Sequence, residues 1–122
     1  MAYELAWHIE DQALLLTISG HYTLLDARDA NKHMLDVLEK SSNTLALLID
    51  ATTMQRPYNF GEIRATQHYM DHQRLDGIYV ATRDRLIKLS MMVIFNLSRA
   101  NLFIADDVIN AENMLRQRLK NA

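Results

Sequence analysis

The chain has 122 residues, 49% of them hydrophobic and 23% charged, with a formal net charge of −2 and no cysteine. That size and balance suit one globular core spanning residues 1–122. A near-neutral charge excludes the basic surplus of a duplex-binding surface, so nucleic acid is not an expected partner. Without cysteine there is no disulfide framework, no thiolate metal site and no thiol nucleophile, and a reducing, cytoplasmic setting is favoured.

The start, Met1 to His8, lacks the basic opening and apolar run of a signal peptide and alternates like a strand. Tyr3 to Ile9 and Ala13 to Ser19 are rich in strand formers, and the short polar link Glu10-Asp11-Gln12 predicts a hairpin. Gly20 breaks the second strand, and Thr23 with Asp26 forms a capping pair for a helix running to about Lys40. Leu24, Ala27, Met34, Leu35 and Leu38 give that helix one apolar side. Thr44 to Asp50 is nearly all apolar, as expected of a central strand covered on both faces.

After Pro57, Asn59 and Glu62 make a second capping pair, and Phe60, Ile63, Gln67 and Met70 line one side of the next helix. Gly77 to Thr82 is a further strand, Asp84 to Arg99 a third helix, and Asn101 to Ala105 a short last strand. A fourth helix starts near Asp107, with Val108, Ala111, Leu115 and Leu119 inward. The order ββαβαβαβα predicts an α/β fold: a mixed, largely parallel sheet with about four helices and one antiparallel strand at or near an edge. No stretch reaches the roughly 20 apolar residues that span a bilayer; Leu86 to Leu97 is interrupted by Lys88, Ser90 and Asn96.

This order, together with the segments Ala13 to Gly20, Leu45 to Asp50 and Leu102 to Asp107, resembles the SpoIIAA-like branch of the STAS (anti-sigma-factor antagonist) domains over nearly the whole chain. The resemblance implies a non-catalytic regulatory or interaction module. Partner-switching members carry an Asp-Ser pair before the helix that follows the central strand, and phosphorylation there repels a kinase partner. Here the corresponding stretch is Arg56-Pro57-Tyr58-Asn59-Phe60-Gly61, which has no serine. Thr52 and Thr53 lie upstream as the remaining hydroxyls. The branch is also similar in shape to Sec14-type lipid carriers, which implies a small apolar ligand as an alternative.

His68 and His72, spaced i, i+4 on the second helix, are the best metal signal, although the wheel puts them on the solvent side with no third ligand beside them. Asp50 and Thr82 end strands as in receiver domains, but the acidic pair and lysine such a site needs are missing. Glu4, Glu10 and Asp11 near Trp7 read as solvated hairpin acids. No phosphate loop, nucleophile elbow or zinc-protease motif occurs. Neither an enzyme nor a cofactor is therefore expected.

The third helix is the unusual segment. Apolar residues including Met91, Met92 and Phe95 surround its axis, so a second subunit, neighbouring helices or an apolar ligand is expected to cover it. Arg83, Arg85 and Lys88 crowd its start, a place where cations oppose the macrodipole and where phosphate or a lipid headgroup would be welcome. The expectation is a homodimerising interaction module, with a protein partner or an apolar ligand as further occupants.

Overall fold

The computed structural model describes residues 2–56, 60–66, 68–95 and 100–120. The capping pair expected at Asn59, the inward Gln67 and the segment Asn96 to Arg99 lie outside the described residues, as do the side chains of Phe60 and Ile94.

Two strands open the fold, β1 (Tyr3–Ile9) and β2 (Ala13–Gly20), followed by α1 (Leu24–Lys40) and β3 (Leu45–Met54). Next come α2 (Phe60–Thr66), a 3₁₀ turn (His68–Asp71) and β4 (Leu75–Ala81), then α3 (Arg85–Phe95), β5 (Asn101–Ala105) and α4 (Val108–Lys120). The sheet order is β1-β2-β3-β4-β5. β1 is antiparallel to β2 at one edge, and β2 to β5 run parallel, as the element order predicts.

Local chemistry accounts for the boundaries. The hairpin turns through Asp11 in the left-handed region (φ 60°), which a short polar side chain tolerates. The Thr23 hydroxyl accepts from the Asp26 amide at 3.1 Å while the Asp26 carboxylate accepts from the Thr23 amide at 3.0 Å, closing the expected capping box of α1. Two expectations need correcting. Gly20 does not break β2 but ends it in pairing with Met54, adopting φ 62° there. β3 likewise does not stop at Asp50: β4 leaves it there, yet β3 continues to Met54 on β2 alone, past a register shift.

Helices cover both faces unequally. On one side Leu14, Leu16, Ile18, Leu47, Ile49 and Val80 meet α1, α2 and α3. On the other, Ala13, Ala46, Leu48, Tyr79 and Ala81 meet α4 through Ala111 and Leu115. Tyr79 stacks on Phe103 at 4.8 Å, and Arg118 lies over Phe103 at 5.5 Å. β4 thus leads to α3 on one face and β5 to α4 on the opposite face. In open α/β sheets such a divergence creates a crevice at the carboxyl ends of the strands.

Candidate functional site

That crevice contains the basic cluster read from the sequence, and the fold divides it. The Asp84 carboxylate caps α3, accepting from the Leu86 amide at 2.8 Å and from the Ile87 amide at 3.3 Å, and it also takes the Arg56 Nε at 2.9 Å. Lys88 donates to Asp106 across the gap, and the Thr82 amide donates to the Ala105 carbonyl at 3.0 Å. Hydrogen bonds from Arg56 and from Lys88 hold the Asp84 and Asp106 carboxyls below the usual range. Lys88 is therefore already matched by a carboxylate. Arg83 and Arg85 stay exposed and make no ion pair among the described residues. Of the three cations, one is thus held by the sheet end and two face solvent.

α3 itself is two-faced. Ile87, Ser90, Met91 and Phe95 are buried against the core, whereas Leu86 (49% exposed), Leu89 (56%), Met92 (54%) and Val93 (59%) form a stripe open to water. Met91 and Met92 are adjacent in sequence, and the roughly 100° turn between successive helical residues separates them. Met91 and Phe95 are core, and Met92 belongs to the open stripe. Beneath α3, Ile18, Ile49, Met54, Ile63, Met91 and Phe95 enclose a cavity of about 10 Å³. That is room for a probe the size of one water molecule, far too little for a lipid beneath this helix. The buried Tyr69 hydroxyl lines the same cavity without a hydrogen-bond partner among the described residues.

The histidine pair does not keep its expected geometry. His68 lies in the 3₁₀ turn and His72 just beyond it, so the two are not successive turns of one helix. The reason is tertiary: the buried side chain of Asn31 on α1 accepts from the Tyr69 amide at 3.0 Å, tightening the chain there. His72 Nδ1 accepts from the Arg74 amide at 3.1 Å. Among the described residues no three His, Cys, Asp or Glu side chains come close enough to share a metal. Thr52 and Thr53 are exposed within β3, and the Thr52 hydroxyl donates to Asp50 at 2.6 Å.

One constellation was missed in the sequence. Tyr3 of β1 is buried and its hydroxyl donates to Asp29 of α1, while the same oxygen lies 2.9 Å from Nδ1 of His33, one helical turn further on. Burial, then the bond to Asp29, pushes the phenol well above its ordinary value. The i, i+4 spacing of Asp29 and His33 is visible in the sequence, but nothing local says that Tyr3 docks between them. Beside this cluster β1 and α1 border an open groove of about 230 Å³ that includes Trp7.

No protein-family model matches the chain, and no curated protein matches it either. Among solved structures it is similar to an uncharacterized protein of the DUF3478 family from Shewanella loihica PV-4, described as having a SpoIIAA-like fold. The TM-score is 0.69 at 14% identity, covering 93% of this chain and 92% of that one. The fold is SpoIIAA-like. An anti-sigma factor antagonist from Mycobacterium paratuberculosis shares this SpoIIAA-like frame, with a TM-score of 0.57, 15% identity, and 93% and 92% coverage. The resemblance read from strand order and segments thus holds for the SpoIIAA-like architecture. Among the described residues, no helix is long and apolar enough to cross a membrane.

Proposed function

We propose that the chain is a single SpoIIAA-like, non-catalytic regulatory module of the cytoplasm that self-associates through the solvent face of α3. The observation that carries this reading is the stripe Leu86, Leu89, Met92 and Val93, each about half exposed on a helix whose opposite face is already packed. Covering the exposed halves of four large apolar side chains is worth on the order of 5 kcal/mol per protomer at roughly 25 cal/mol per Å². Contributed by two copies, that is comparable with the cost of association, about 4–15 kcal/mol.

Charge favours a second copy as the occupant. A twofold axis across α3 sets the two helices antiparallel. Arg83 and Arg85, which oppose the dipole at the start of their own helix, then sit beside the carboxyl end of the partner's, where cations are favourable. A protein partner with a similar apolar helix would use the same stripe. The anti-sigma factor antagonist among the structural neighbours supports a regulatory role of this kind. The carrier of a small apolar ligand is the weaker reading, because the cavity under α3 holds only about 10 Å³.

Native mass spectrometry tests the proposal. The protein should appear as a dimer of bare mass, and the double variant Leu89→Glu/Val93→Glu as a monomer with an unchanged far-ultraviolet spectrum. A wild-type monomer carrying a lipid-sized adduct would replace self-association with the carrier, and a bare monomer would remove both.

A further inference from the structure

The open stripe of α3 presents one thioether side chain to water. Met92 is 54% exposed, whereas the adjacent Met91 is 4% exposed against the core. Met34, Met54 and Met70 are buried as well, and Met114, on α4 across the sheet, is 37% exposed. The chain has no cysteine, so no thiol stands ahead of methionine as the target of an oxidant. A peroxide must reach a side chain to oxidise it, which puts Met92 first among the described residues.

Hydrogen peroxide balances the reaction by itself. A sulfur lone pair attacks one peroxide oxygen, and the O–O bond breaks as the S–O bond forms. The departing hydroxide takes the proton left on the transferred oxygen and becomes water, so sulfur loses the two electrons that the peroxide gains. The product is a sulfoxide, polar where the thioether was apolar. On a half-exposed side chain its oxygen is solvated, and the fold of the single copy is kept. Covered by a second copy it loses that water, and the side chains of Leu86, Leu89 and Val93 offer no donor to replace it.

We infer, on the basis of self-association through α3, that Met92 is a peroxide-oxidation site whose sulfoxide blocks that assembly. Assembly covers the side chain and the sulfoxide opposes assembly, so each state excludes the other, a coupling that runs equally in both directions. A concentrated, assembled pool is protected at Met92, and a dilute one is oxidised there. Methionine sulfoxide reductase with a dithiol reverses the step, the dithiol supplying two electrons and the oxygen leaving as water.

The test treats the chain with hydrogen peroxide at a series of protein concentrations, with peptide mass mapping for the site and sedimentation for the assembly. Met92 should gain oxygen before Met114, and its rate should fall as concentration rises through the dimer midpoint, whereas the Met114 rate should not. The oxidised protein should show a dimer dissociation constant raised about a hundredfold, roughly tenfold for each buried sulfoxide, with an unchanged far-ultraviolet spectrum. Reductase and dithiol should restore the original constant. Met114→Leu should respond to peroxide as the wild type does, and the constant of Met92→Leu, whatever its starting value, should not move. In a chain that dimerises before treatment, a dimer that survives with Met92 oxidised, a Met92 rate indifferent to concentration, or equal loss of the dimer in Met92→Leu would overturn the inference and leave self-association standing. An untreated chain that is monomeric at every concentration would remove self-association, and this inference with it.

Discussion

Tyr3 and Tyr69 are both buried phenols whose hydroxyls fare differently. The Tyr3 hydroxyl joins Asp29 and His33 and so fastens the edge strand to α1. The Tyr69 hydroxyl has no hydrogen-bond partner among the described residues, and burial, then Tyr22, pushes its phenol well above the ordinary value. Removing a buried hydroxyl that bonds nothing recovers its desolvation cost, whereas removing one that bonds a carboxylate forfeits the bond and leaves its partners behind. Tyr69→Phe should therefore leave stability unchanged or raise it by up to about 1 kcal/mol, and Tyr3→Phe should lower it by about 1–2 kcal/mol. Denaturant midpoints of the two variants decide this directly, and a loss in Tyr69→Phe equal to that in Tyr3→Phe would contradict it.

The elements that were legible in the sequence are those whose ends are set locally. α1 starts where Thr23 and Asp26 exchange hydrogen bonds, and Thr23→Ala should cost about 1 kcal/mol in thermal or chemical unfolding. Strand and helix periods likewise gave the order and the edge position of β1, because burial on one or two faces imprints directly on side-chain spacing. What escaped was decided at a distance. The helix expected to carry His68 and His72 ends early because Asn31, far back in the chain, takes the Tyr69 amide. β3 outruns Asp50 because Gly20 and Met54 pair at its end, and the polar Thr52-Thr53 step hides that from a hydrophobic pattern. In α3 the surplus of apolar residues was plain, but its division into a packed face and an open one depends on where α2 and β5 lie. The groove was invisible for the same reason: Tyr3 and His33 share no local pattern.

The pH response belongs to the whole molecule. Asp84, Asp106 and Glu112 are held below the usual carboxylate range by Arg56, Lys88 and Arg116, so their contribution is present above the unfolded-state value and is lost as pH falls through the folded one. These groups are partly or fully open to solvent, so the acid-side loss should be shallow and weaker in high salt. Tyr3 and Tyr69 shift the other way. Their folded-state values are raised, so folding stability is untouched by them below the unfolded value of 10.0 and falls as pH rises beyond it, where the unfolded chain ionises first. Unfolding midpoints should drop steeply above about pH 10, and less steeply in Tyr69→Phe. An alkaline slope identical in that variant would remove Tyr69 from the account. The sheet order has its own consequence, felt while the protein is being made. Because strands add in the order β1 to β5, each finds its partner already synthesised, and the sheet can grow by one edge as the chain leaves the ribosome. The helices do not keep pace on both sides. Ala46, Leu48 and Tyr79 wait for α4, which emerges only after β5, so a nascent chain stalled after β5 displays a bare apolar sheet face, the kind of surface that chaperones capture.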